Sequence, residues 1–185
     1  EKFIVETLES IKRQTYQNRE LIISDDFSID NTITLCKDWV EENSSFFKGT
    51  KLVTSPRNTG IVLNLNRGIE AATGEWVKII AGDDLLLKES IEKYEQFVRT
   101  HDCNVVAARR YYFYNNDPNQ RRVKDDYGIF NREGLTANQQ YQIALRGYGA
   151  PHNTWFFRKK FIEAIGYYDE RFPMMEDWPM KLKVL

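Results

Sequence analysis

Short apolar runs separated by stretches with helical periodicity constrain this chain more than any other feature. Leu21-Ile22-Ile23, Lys51–Thr54, Trp76–Ala81 and Asn104–Ala108 read as strands, the first and third as strands covered on both faces. Between them Ile33, Cys36 and Val40 form one helical stripe and Ile61, Leu65, Ile69 and Ala72 another; a further helix is predicted from about Lys88 to Arg99. A helix with the stripe Ile4, Leu8 and Ile11 opens the chain. Strands alternating with helices of this length predict βαβ units and a mostly parallel sheet. Ser28 and Asp30 are candidate caps for the second helix, and Gly74 for the end of the third.

The pattern loosens after Arg110. Residues 111–149 are rich in Asn, Gln, Arg and Tyr, with a turn at Asn115-Asn116-Asp117-Pro118. Regular signals return with a strand at Thr154–Phe157, a helix near Lys160–Ile165 stopped by Gly166, and a last helix from about Asp177. The expected division is an α/β part over 1–110 and a second part over 111–185. The 185 residues are 42% hydrophobic, enough for a sizeable core. Their 26 basic and 27 acidic side chains leave none of the cationic excess that nucleic-acid binding demands. No apolar run approaches the ~18 residues of a membrane span, and the opening EKFIVETLESIKRQ does not read as a signal peptide. Cys36 and Cys103 form no CxxC pair, so reduced thiols are expected. A cytoplasmic location follows, with the inner face of the membrane as the alternative.

Two acidic pairs, Asp25-Asp26 and Asp83-Asp84, each close a buried strand. Ligands of open α/β sheets bind at the carboxyl ends of the strands. Carboxylates gathered there repel one another unless a cation compensates, and oxygen-only donors suit Mg²⁺ or Mn²⁺ bridging to phosphates. Adjacent residues of an extended segment point opposite ways, so each pair should divide its work between ligand and framework. Asp also caps turns without any further role, and that alternative weighs on a single pair more than on two. P-loop, dinucleotide and serine-hydrolase motifs are absent. Of the two histidines, His101 reads as a capping or solvated residue, whereas His152 is either packed or ligand-facing. Glu176-Asp177 before Trp178-Pro179 fits a helix start as well as a site. Asp125-Asp126 reads as a solvated loop and Tyr111–Tyr114 as an aromatic strand.

Taken in order, ETLESIKRQTY, ELIISDDFSIDNT, NTGIVLNLNRGIEAATGEWVKIIAGDD and GYYDERFPMMEDWPMKLKV resemble the family 2 glycosyltransferases. The resemblance covers nearly the whole chain and is loose only over 110–149. It implies a GT-A fold, in which a Rossmann-like, mostly parallel sheet is flanked by helices and a small irregular subdomain lies on the acceptor side. It also implies an inverting, metal-dependent enzyme using a nucleotide-sugar, with UDP expected. By the same resemblance Asp26 hydrogen-bonds the uracil, Asn58 and Gly60 lie beside the base, Asp83 faces the ribose, Asp84 holds Mn²⁺ or Mg²⁺, and Asp177 is the catalytic base.

Three departures stand out. Phe27-Ser28-Ile29 replaces a frequent Gly-Ser-Thr, Ala81 replaces a frequent Asp, and the family's first strand would precede Glu1. The chain is also expected to stop within the helix that follows Asp177. The function expected is sugar transfer in cell-surface polysaccharide or glycan assembly, to a saccharide or lipid-linked saccharide. His152, Asn153 and Glu176 are candidates for the acceptor side. The rivals are a glycoside hydrolase, disfavoured because its two carboxyls are separated rather than adjacent, and a non-catalytic module binding nucleotide-sugar or polysaccharide.

Overall fold

The stripe Ile4, Leu8 and Ile11 becomes helix α1 (Ile4–Lys12) in the computed structural model, which describes residues 1–114, 117–123, 134–146 and 152–185. There follow β1 (Leu21–Asp25), α2 (Thr32–Asn43), β2 (Thr50–Thr54), α3 (Ile61–Ala71), β3 (Trp76–Lys78), α4 (Ser90–Thr100) and β4 (Val105–Val106). This is the alternation that hydrophobic spacing predicts. The later part holds a hairpin of β5 (Tyr111–Tyr114) and β6 (Asp117–Val123), then α5 (Ala137–Ala144), β7 (Phe156–Arg158), α6 (Lys159–Ala164) and α7 (Asp177–Val184). Thr136 and Gln139 form a reciprocal capping box at the start of α5. Asp125-Asp126, Asn115-Asn116 and Ala150-Pro151 lie outside the described residues.

β1 and β2 pair in parallel, with Leu21 opposite Thr50 and Asp25 opposite Thr54. β7 lies between β3 and β4 and runs antiparallel to both, so β3 and β4 are parallel to each other. The parallel expectation therefore holds among the early strands, and β7, which follows residues 111–149 in the chain, is the reversed member. Hydrophobic spacing carries no direction, which is why it could not foresee that reversal.

Two apolar clusters form the core. Leu8, Leu21, Ile23, Cys36, Trp39 and Phe47 join α1, β1 and α2. Val62 and Ile69 of α3 pack with Trp155, Phe157, Ile162, Tyr168 and Met180 in the second. The buried face of α3 keeps Ile69 and Ala72 of the stripe expected but is rotated at its start, where Val62 and Asn66 are inside, Leu65 is partly buried and Ile61 is 43% exposed. Asn66 sets that rotation, because its amide donates to the Tyr168 carbonyl at 3.1 Å and accepts the Tyr168 N–H at 3.0 Å. Gly68 lets α3 approach β1, since a Cβ there would lie 3.2 Å from that of Ser24.

The cap expectations are corrected in part. Ser28 is turned back onto Asp25, whereas Asp30 accepts the Thr32 N–H at 3.1 Å, within the first turn of α2. At the end of α3, Ala72 is the extended C-cap and the Gly74 N–H donates to Glu20.

Candidate active site

Asp25 and Asp26 divide their work as strand alternation requires. Asp25 is buried and accepts both the N–H and the hydroxyl of Ser28, at 2.8 and 2.6 Å, closing the turn after β1. Asp26 faces the loop before α3. One of its oxygens accepts the Thr59 hydroxyl and Arg67 Nη2, both at 2.6 Å; the other accepts the N–H groups of Thr59 and Gly60, at 2.8 and 2.6 Å. Burial pushes the Asp26 carboxyl up, but these donors outweigh it and hold the group below the usual carboxylate range.

Gly60 takes φ 91°, and a Cβ there would meet the Pro173 carbonyl at 3.1 Å, so glycine is required for both conformation and space. Asn58 Oδ1 accepts the Gly60 N–H at 3.1 Å. Arg67 escaped sequence reasoning; its signal was a cation at helical spacing from Gly60. Phe27 adopts φ 72°, the left-handed conformation that glycine takes without strain, and stands 47% exposed.

Asp83 and Asp84 follow β3 on a segment held from behind by α1. The Thr7 hydroxyl donates to the Asp84 carbonyl at 2.9 Å, and Ser10 Oγ accepts the Leu86 N–H at 3.1 Å. Gln14 donates to the Leu87 carbonyl at 2.8 Å and accepts the Ile91 N–H in the first turn of α4 at 3.1 Å. All three side chains are buried. Their spacing of three and four along the chain is a polar helical stripe that an apolar reading of α1 passes over.

Asp83 lines a cavity of about 240 Å³ with Phe3, Glu6, Thr7, Leu85 and Phe113. Asp84 stands at a larger cleft of about 480 Å³, whose lining includes Lys78, Leu86, Phe97, Arg110 and Asn153. No ion pair among the described residues neutralises Asp83 or Asp84. Nor is there a group of three or more acidic, His or Cys side chains that would complete a metal cage there. The Asp84 carboxylate, with no ion-pair partner among the described residues, would suit a divalent cation that draws its other ligands from phosphate and water oxygens.

The turn at 152–154 sends its side chains two ways. Asn153 Nδ2 donates to Asp84 Oδ2 at 3.2 Å. His152 packs against Trp155, Phe157 and Tyr168, and its Nε2 is 2.7 Å from the Tyr168 hydroxyl. His152 is thus the packed residue, not a lining residue of the cleft, because the aromatic cluster before α6 takes its ring. Burial lowers its pKa to about 4, with the Asp177 charge opposing the fall. Asp177 is the first residue of α7, and Lys181 one turn on approaches its Oδ2 at 3.3 Å. Glu176 precedes it as N-cap, with no side-chain capping bond. Trp178 Nε1 donates to the Ala144 carbonyl at 3.1 Å, joining α7 to α5. His101 caps the end of α4, its ring nitrogen 3.0 Å from the Phe97 carbonyl.

TarS of Staphylococcus aureus, in its complex with UDP, superposes with a TM-score of 0.73 over 98% of this chain and 51% of that one, at 21% identity. The mannosyltransferase PcManGT of Pyrobaculum calidifontis, in complex with GDP-Man and Mn²⁺, gives 0.67 over 97% and 47%, at 18% identity. The architecture is that of the GT-A glycosyltransferases. Residues 1–166 match glycosyl transferase family 2, and the chain belongs to that family. It is 28% identical to the putative glycosyltransferase EpsE of Bacillus subtilis over 186 residues, 99% of this chain. The chain spans 62% of that relative's length and 38% of another curated glycosyltransferase that it matches.

Proposed function

We propose that this chain carries the donor site and the catalytic base of an enzyme that transfers a sugar, with inversion, from a UDP-sugar to an acceptor hydroxyl. The observation that carries this reading is the turn at 152–154, which bonds Asp84 through Asn153 and leads into Trp155 and Phe157, against which Met180 of α7 packs. Asp84 and the helix that begins at Asp177 are thus tied to the same turn, and Asp84 stands beside a cleft large enough for a sugar.

The Asn58-Thr59-Gly60 loop takes the uracil, with Asp26 bracing it through the four donors its oxygens already accept, and Asp83 faces the ribose. Asp84 would hold Mn²⁺ or Mg²⁺, which when bound offsets the charge building on the departing diphosphate. Asp177 accepts the proton of the acceptor hydroxyl, and Lys181 holds that carboxylate in place. The cleft mixes Leu86 and Phe97 with Lys78 and Arg110, which suits a saccharide or lipid-linked saccharide acceptor of cell-surface glycan assembly. No helix among the described residues is long and apolar enough to cross a membrane, and we place the reaction in the cytoplasm, at or near the membrane's inner face.

The test measures UDP affinity and sugar transfer on the same preparations of the parent enzyme. Asp84→Ala should abolish the tightening of UDP by Mn²⁺. Asp177→Asn should leave donor binding unchanged, yet transfer should fall by ~10²–10⁴-fold, the usual contribution of a positioned base. Transfer by Asp177→Asn at nearly the wild-type rate would place the base elsewhere and leave Asp177 as a helix-start residue.

A further inference from the structure

Asn153 occupies an unusual electrostatic position. Its amide nitrogen donates to Asp84 Oδ2 at 3.2 Å, and its amide oxygen accepts Arg110 Nη1 at 2.9 Å. Its backbone carbonyl accepts Lys78 Nζ at 2.7 Å, and the same ammonium also reaches the carbonyl of Ile79, the residue after β3. Arg110 is steadied in turn by stacking over the Tyr112 ring at 4.6 Å. The residue is therefore held at three points while its side chain remains exposed at the mouth of the cleft.

Only a side chain with a donor and an acceptor on one rigid plane can stand between a guanidinium and a carboxylate in this way. A carboxylate at this position would confront Asp84, and an ammonium would confront Arg110. A direct Arg110–Asp84 ion pair would neutralise Asp84 and compete with any cation for its oxygens. The neutral amide instead orients the carboxylate through Oδ2 and leaves its charge and its second oxygen available. Groups that orient a ligand of a metal ion without touching the ion typically carry ~10–100-fold of its affinity.

We infer that Asn153 is a positioning residue for the cation site, an amide spacer that fixes the Asp84 carboxylate and keeps Arg110 from pairing with it. The inference rests on the reading of Asp84 as cation ligand, and it moves Asn153 from acceptor contact to support of the donor side. It also couples the two sides, because the spacer sits on the turn that leads into β7.

The experiment follows Mn²⁺ binding in the presence of saturating UDP by loss of the free-ion electron paramagnetic resonance signal. Calorimetry gives UDP affinity with and without the metal. Asn153→Ala should weaken Mn²⁺ by roughly 10–100-fold while UDP affinity without metal and the melting temperature stay at wild-type values. Arg110→Gln, which loosens the amide but leaves its bond to Asp84 possible, should weaken Mn²⁺ by a smaller factor. Wild-type Mn²⁺ affinity in Asn153→Ala would overturn the inference while leaving the Asp84 reading intact. A wild-type protein whose UDP binding ignores Mn²⁺ would overturn both. A fall in metal-free UDP affinity and melting temperature matching the loss of Mn²⁺ would show a purely structural role and also refute the inference.

Discussion

Lowering the pH from 7.5 to 5 should destabilise this protein through one side chain, His152. Burial among Trp155, Phe157 and Tyr168 lowers its pKa to about 4, against an ordinary histidine value of about 6.5. Asp177 favours the protonated ring, whereas Lys181 and Lys78 oppose it. Because the folded chain takes up this proton less readily than the unfolded one, the associated stability is complete above about pH 6.5 and is lost as the pH falls toward about 4. Across the whole window the difference is on the order of 3 kcal/mol, and by pH 5 about 2 kcal/mol of it is gone. With a urea m-value of about 2 kcal/mol per molar for a chain of this size, the midpoint should drop by about 1 M between pH 7.5 and 5. His152→Gln removes the titration while keeping a polar partner for the Tyr168 hydroxyl, so its midpoint should move far less. His101 is exposed and present in both proteins, as are the carboxyls held low, such as Asp169 at about 2. Equal midpoint shifts in wild type and His152→Gln would refute the reasoning.

Phe27→Gly should raise the melting temperature, since Phe27 sits at φ 72° and a non-glycine residue there costs roughly 1 kcal/mol, equivalent to about 2–4 °C for a chain of this length; a lower melting temperature would show that the ring's packing outweighs the strain. Gln14→Leu should cost about 2–3 kcal/mol in urea unfolding, because the buried amide serves both the Leu87 carbonyl and the Ile91 N–H at the start of α4. A loss below about 0.5 kcal/mol would mean that water replaces both bonds.

What the sequence determined by itself is local. Periodicity along the chain is a property of neighbouring residues, and it identified α1, β1, α2, β2 and α3 along with the two strand-end acid pairs. The alternation of side chains on extended backbone foretold that Asp25 and Asp26 would part company, but not their partners, Ser28 for one and the Thr59-Gly60 loop for the other. Family motifs carried the reading further, to Asp84 and Asp177. The tertiary structure decided everything that depends on a partner far along the chain. It turned β7 antiparallel between β3 and β4, and it rotated α3 so that Asn66 could meet Tyr168, 102 residues away. It made the polar stripe of Thr7, Ser10 and Gln14 the support of the Asp84 segment. It also sent His152 into an aromatic cluster while delivering Asn153 to Asp84. A buried polar group must find a hydrogen-bond partner somewhere, but residue spacing does not say where, because the partner is supplied only when distant segments pack together.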